Sequence, residues 1–367
     1  MIKISNKVKS AIKNVFSALF CIFCLIFLFF SPIFIFDEKL YALGVDRFLS
    51  KGNGESVVLT LHHVETFEGG SASRGNYLKR QAIAYNKSNP NVFISVITMT
   101  PEQLLLNIKE NNIPDIYSFG TGVGEYIAGY FHELDEIDTK SFLKGTCLLA
   151  NGIYAYPYIL SGYCLISNEN LLNNNKNIDF YDENDDFFNN FDNIYYLMQS
   201  VNVGKKTISG VSIGHGYTCA SRCVDINNNL VDAEFFDSSY DAYCNFVSGQ
   251  SVSLLGTARD LARCKNRELN GKLSSCVYTP LSTYSDLVQY IGVVSHGSQL
   301  SLSCARSFAK FLTTQSAQKD LSKYGLFSTT VDKIYSDDYM SDFEDAYNEL
   351  SFVPSAFISE RELLSYR

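Results

Sequence analysis

Between residues 56 and 119 two kinds of local pattern alternate, and this alternation constrains the fold more than any other feature of the chain. Residues 56–61 (SVVLTL) are rich in β-branched side chains, as a strand is. Residues 74–88 place Tyr77, Leu78, Ala82, Ile83 and Tyr85 near helical spacing, and Asn89-Pro90 stops the run. Residues 92–98 (VFISVIT) read as a second strand. Pro101 opens a helix to residue 111, and Pro114 leads into a third strand at 115–119 (DIYSF). Strand, helix, strand, helix, strand in this order builds a parallel sheet covered by helices.

The pattern continues beyond. A helix-like stretch covers 135–149, and two strands flank Pro157 in 152–160 (GIYAYPYIL). Ser161-Gly162 and residues 163–167 (YCLIS) then suggest a passage from one lobe to another. Residues 168–229 are rich in Asn and carry the weakest pattern. A helix end at 240–247, a strand at 250–255, a helix at 258–265 and strands at 276–281 and 290–295 follow. Helices at 301–313, 317–323 and 337–350 close the chain. The expected division is residues 1–42 for export or anchoring, 56–156 plus 296–330 for lobe 1, and 157–295 plus 331–367 for lobe 2.

The first forty residues determine where such a fold would work. Lys3, Lys7, Lys9 and Lys13 precede residues 15–36, which carry no charge, and Asp37-Glu38-Lys39 ends the run. A basic stretch before an apolar one marks a chain handed to the secretion machinery. The expected location is therefore extracytoplasmic: secreted, or at the outer face of the cytoplasmic membrane. The run is near the ~20 residues that span lipid and longer than an ordinary signal core, so a cleaved signal and an uncleaved anchor both stay open.

Composition narrows the partners. About 325 residues remain after the export segment, enough for two domains. Hydrophobic content of 46% with 19% charged residues describes a globular chain. The net charge of −9 includes the four export lysines, so the remainder is more acidic still, and nucleic acid is not an expected partner. Eight cysteines follow residue 42 (Cys147, Cys164, Cys219, Cys223, Cys244, Cys264, Cys276 and Cys304). They read either as disulfides or as small buried hydrophobes, with no pairing fixed by spacing.

Motifs for catalysis and metals are incomplete. Gly210-Val211-Ser212-Ile213-Gly214 fits the nucleophile-elbow pattern with His215 adjacent, but that motif needs a helix after Ser212, and Gly214 and Gly216 oppose one. His215, Cys219 and Cys223 would share a helix face but lack a fourth ligand. Asp182, Asn184 and Asp186 begin a calcium-loop spacing that Phe187 and Asn193 break. No cofactor or metal is expected.

Several landmarks occur in one order. Residues 59–67 end a first strand in a polar loop. Tyr85 and Pro90 close the first helix, and Ile113-Pro114-Asp115-Ile116 enters the third strand. Residues 153–168 run into Asn168-Glu169-Asn170-Leu171-Leu172, residues 246–257 read FVSGQSVSLLGT, and a helix pair spans 308–325. In this the chain resembles bacterial extracellular solute-binding proteins of the family 1 type, the group that includes maltodextrin-binding proteins. The likeness covers most of residues 57–330. No proline follows Gly325 as in the family's closing pattern, and there is no tryptophan to stack on a sugar; Tyr and Phe would take that role.

The resemblance implies an α/β, two-lobed periplasmic-binding-protein-like (type II) fold with a hinge, preceded by an N-terminal hydrophobic export helix. It implies a monomeric substrate-binding protein of an ABC importer that captures a small polar solute, an oligosaccharide among the options, and delivers it to an ABC permease. It implies no catalysis. A membrane-anchored sensing ectodomain of the same fold is the alternative, and an exported serine hydrolase using Ser212 a more distant one. The expected ligand-binding residues lie after strand ends and at the passages between lobes. They are His63, Glu65, Thr66, Phe67, Arg74, Phe119, Gly120, Thr121, Tyr156, Tyr158, Gly256, Arg259 and His296. Several have a structural alternative: Glu65 as a cap or in solvent, Arg74 in the opening of the first helix, the tyrosines and His296 in the core, Arg259 paired with Asp260 or another acid.

Overall fold

The alternating segment folds as its pattern requires. In the computed structural model, which describes residues 55–65, 73–173, 195–214, 232–330, 335, 338–347, 350 and 352–366, β1 (Val57–Val64) pairs in parallel with β2 (Val92–Met99) and β3 (Ile116–Gly120). α1 (Arg74–Ser88) crosses between β1 and β2, and α2 (Pro101–Lys109) between β2 and β3. Ser73 caps α1 by accepting from the Asn76 amide. Thr100 and Gln103 form a reciprocal capping box on α2 with Pro101 at its start, satisfying amides the first turn leaves orphaned.

β4 (Tyr156–Leu160) carries the chain out of the first sheet, and β5 (Tyr163–Asn168) begins the second. There β6 (Lys206–Gly214), β7 (Ala233–Phe236) and β8 (Ser251–Thr257) are parallel, with α3 (Ser239–Val247) between β7 and β8. α4 (Ala258–Leu269) leads to β9 (Cys276–Leu281), and residues 282–287 return the chain to β10 (Val288–Val293) of the first sheet. The sheet orders are β2-β1-β3-β10-β4 and β7-β6-β8-β5-β9. Both sheets thus place one antiparallel strand, β10 or β5, beside the third parallel strand. α5 (Gln299–Phe311) then packs on β1 and β10, and α6 (Asp338–Tyr347) on β9.

Leu59, Leu61, Tyr77, Leu78, Tyr85, Phe308, Ala309 and Leu312 form one core beneath the first sheet. Tyr163, Leu165, Val211, Ile213, Val252 and Leu255 form another in the second. A third cluster runs between the halves and joins Phe119, Phe131 and Tyr290 to Phe327, Phe343 and Tyr347.

Three expectations are corrected. The lobe boundaries at 156/157 and 295/296 put most of β4 and all of β10 in lobe 2, whereas β10 pairs with both β3 and β4 and so holds 156–160 and 288–293 in the first sheet. The tail returns as well: the Ala356 amide donates to the Thr146 carbonyl and the Glu360 amide to Glu125. Pro157 lies within β4 rather than between two strands; the ladder shifts register opposite it, between Gln289 and Tyr290, which accommodates its missing N–H. Residues 135–149 hold the short helix Ser141–Lys144, a 3-10 turn, Gly145–Cys147, where the Thr146 hydroxyl donates to the Leu143 carbonyl, and the two-residue strand Leu148–Leu149, which pairs with Gly152–Ile153. The export segment, residues 1–42, lies outside the described residues.

Candidate functional site

The register fixes which strand ends meet between the lobes. The carboxyl ends of β1, β3 and β4 and the start of β10 lie at one end of the first sheet. The start of β5 and the ends of β8 and β9 lie together in the second, since Thr257 and Leu281 both pair with Tyr163. The short passage 161–162 joins the two ends. In α/β sheets this is where ligands gather.

A buried polar chain occupies that end of the first lobe. Arg74 Nη1, at the start of α1, donates to Gln289 Oε1 at 3.1 Å. Gln289 is thereby oriented so that its Nε2 donates to Ser118 Oγ at 3.1 Å. Ser118 Oγ also meets Tyr158 OH at 2.8 Å and His63 Nδ1 at 2.9 Å. All five side chains are buried. His63 Nε2 is buried too and has no partner among the described residues. Burial, with Arg74 adding repulsion, lowers the His63 pKa to about 3, so the imidazole is neutral in ordinary conditions. The ring of Tyr77 stacks on Tyr158 with centroids 6.3 Å apart.

A second group lies on the returning passage. Asp286 accepts from Tyr163 OH through Oδ1 at 2.7 Å, and its carbonyl accepts from Thr121 Oγ1 at 2.9 Å. One buried residue between the lobes is therefore held from both sides. The start of α4 closes against the other passage, where the Ala258 amide donates to the Gly162 carbonyl at 2.9 Å.

The structure sorts the expected residues. His63, Arg74 and Tyr158 come together in the polar chain. Glu65 follows β1 at the same edge, with its amide donating to the Met99 carbonyl, and Gly120 ends β3 opposite Gln289. Thr121 reaches Asp286. Thr66 and Phe67 lie outside the described residues. Phe119 is a core residue, its ring stacked on Phe131 at 5.4 Å and flanked by Tyr290 and Phe357. Tyr156 is likewise buried, and its hydroxyl is spent on the Asp135 carbonyl at 2.8 Å. Gly256 is interior to β8 against Asp260 and Ile166. Arg259 is half-buried on α4, its Cα beside Gly325.

His296 is a correction. β10 runs antiparallel to β3, so residues after its end lie at the opposite edge of the sheet, where His296 Nε2 is 3.7 Å from Asp115 Oδ1. The 120–124 loop is also covered by the chain itself: a Cβ at Gly124 would meet the Ala356 carbonyl oxygen at 2.1 Å.

Sequence reasoning missed Ser118, Gln289, Asp286 and Tyr163. The signal available for Asp286 and Gln289 was a carboxylate and an amide bracketing Leu287-Val288 at the start of an otherwise apolar strand. Ser212 is no nucleophile elbow. It is buried inside β6, donates to Ser251 Oγ at 2.8 Å and accepts from Asn245 Nδ2 at 3.0 Å. His215, Cys219, Cys223 and the Asp182–Asp186 run lie outside the described residues.

No family model matches the sequence. No curated protein matches it either. Solved structures do match in fold. The GacH receptor of Streptomyces glaucescens, solved unliganded and with acarbose, has a TM-score of 0.58 at 13% identity, covering 85% of this chain and 91% of its own. An ABC substrate-binding protein of Listeria monocytogenes in complex with cycloalternan has a TM-score of 0.58 at 14% identity over 82% and 88%. Thiaminase I from Bacillus thiaminolyticus has a TM-score of 0.57 at 12% identity over 84% and 96%. The fold is thus the two-lobed periplasmic-binding-protein type, and it serves binding proteins and at least one enzyme.

Proposed function

We propose that this chain is the extracytoplasmic substrate-binding component of an ABC importer, closing on a small polar solute between its lobes. The observation that carries the reading is the buried chain Arg74–Gln289–Ser118–Tyr158/His63 at the interlobe edge, ending on an imidazole nitrogen without a partner among the described residues. A preorganised, desolvated set of polar groups orients a solute with little further ordering cost. His63, Glu65, Thr66, Phe67, Arg74, Gly120, Thr121 and Tyr158 would serve from lobe 1 and Arg259 from lobe 2. The basic and apolar N-terminus supports a place outside the membrane, with an ABC permease as partner. Oligosaccharides are the first class to test, because acarbose and cycloalternan are bound by proteins of similar fold. Tyrosines would replace the missing tryptophans as stacking surfaces.

A thermal-shift screen of the purified protein against malto- and manno-oligosaccharides, amino acids and short peptides tests the reading. A true ligand at 100 times its Kd stabilises by about 2.7 kcal/mol and raises Tm accordingly. A flat response to every class, in protein that melts cooperatively, defeats the reading.

A further inference from the structure

Cys264 and Cys276 meet where α4 packs on β9. Cys264 precedes Lys265 by one residue and Glu268 by four, and both of those side chains clasp the Cys276 backbone. Lys265 Nζ donates to the Cys276 carbonyl at 2.8 Å, and the Glu268 carboxylate accepts from the Cys276 amide. A Lys265–Glu268 ion pair at 3.1 Å closes the clasp. Side chains at i and i+4 lie on one helix face, so Cys264 is delivered onto the same strand residue that Glu268 holds. Both thiols are buried in one cluster, and they lie close enough for Cys276 to act on the ionisation of Cys264.

We propose that Cys264 and Cys276 are a disulfide-forming pair, oxidised when the chain folds in the presence of an exchanging disulfide and tying α4 to β9. The oxidant is a disulfide RSSR, either of an oxidase or of oxidised glutathione. One cysteine thiolate attacks RSSR and expels one RS⁻; the other attacks the mixed disulfide and expels the second. Two thiols become one S–S bond, and their two protons and two electrons leave as two RSH. The hydrogen bond to Cys276 and burial push the Cys264 thiol up, so it resists exchange once folded. The bond therefore forms while α4 is still docking. None of this depends on the solute-binding reading.

Its position is consequential. β9 feeds the passage 282–287, and the start of α4 abuts Gly162 on the other passage. The bond would fasten α4, which abuts one passage, to β9, from which the other departs.

The test is refolding of the full chain in a glutathione redox buffer, alkylation in denaturant without reductant, and peptide mass mapping. The expected product is a peptide pair joined through Cys264 and Cys276, about 2 Da lighter than the sum of its thiol forms. Quantitative alkylation of both residues overturns the proposal. So does a bond from Cys264 to Cys164, the neighbouring thiol on β5. As a second readout, C264S and C276S refolded under the same conditions should melt about 5 °C below the oxidised protein. Reductant present during refolding should bring the native sequence down to the variants; equal melting of all forms with and without reductant overturns the proposal.

Discussion

The ring of Tyr347 lies directly on Gly162, so closely that a Cβ at Gly162 would meet its Cζ at 1.9 Å. The Tyr347 hydroxyl, donating to the Tyr163 carbonyl at 2.6 Å, is also 3.1 Å from the Leu281 carbonyl. One side chain from α6 thus touches the second-lobe ends of both passages.

Gly162→Ala should therefore disturb the joint itself. There is no room for a methyl group unless Tyr347 or the passage moves, and overpacking of this kind costs about 1–3 kcal/mol. The urea midpoint is expected to fall, and the solute-induced thermal shift to shrink. An unchanged midpoint would show that Tyr347 does not rest on Gly162 in solution.

The buried pair Lys140–Glu344 links the same helix to the first lobe, with side chains only 5% and 1% exposed. Removing one charge strands the other. Lys140→Met should cost about 3–5 kcal/mol, and K140M/E344L should recover most of that loss. A double variant as unstable as the sum of two single variants would contradict a direct pair; a denaturation cycle measures it.

Acid should unfold this protein through its adjacent histidines. Burial lowers His63 to about 3 and His62 to about 4, the latter against a partial pull from Asp115. The unfolded forms bind protons near 6.5, so the contribution is fully present above that pH and is lost as pH falls from 6.5 toward 4 and then 3. At pH 5 each histidine costs about 2 kcal/mol. Tm is expected to drop over this window, and H62Q/H63Q to flatten the drop; an identical profile for the variant would refute the assignment.

Arg74→Ala tests the proposed site. It removes the donor that orients Gln289 and leaves a buried amide oxygen short of a partner. Solute affinity is expected to fall at least about tenfold, equivalent to ~1.4 kcal/mol, in calorimetric titration. Undiminished affinity in folded protein would place the ligand elsewhere.

Local order was legible where local physics decides it. The expected and observed limits of α1 coincide because Ser73 and Asn89-Pro90 signal both ends. Partnership across the chain was not legible. Nothing near residue 290 announces that it enters a sheet begun at residue 57, and this concealed the true end of lobe 1. The same blindness misplaced His296: strand direction, absent from the local pattern, decides which sheet edge it reaches. Phe119 and Tyr156 follow the general rule that large aromatics at strand ends serve packing as readily as recognition. His63 and Arg74 were visible as polar residues beside a strand end, whereas Ser118 and Gln289, which connect them, look unremarkable in sequence.

The insertion of β10 between β3 and β4 sets an order of assembly. During synthesis the first half of the chain leaves the ribosome more than a hundred residues ahead of the strand that must fill that slot. Until then β3 and β4 each carry an unsatisfied ladder edge, the kind of surface that recruits stray strands. The late closure makes contacts distant in sequence decide how fast the first sheet completes, and that sheet reaches its final arrangement only after most of the chain has been made.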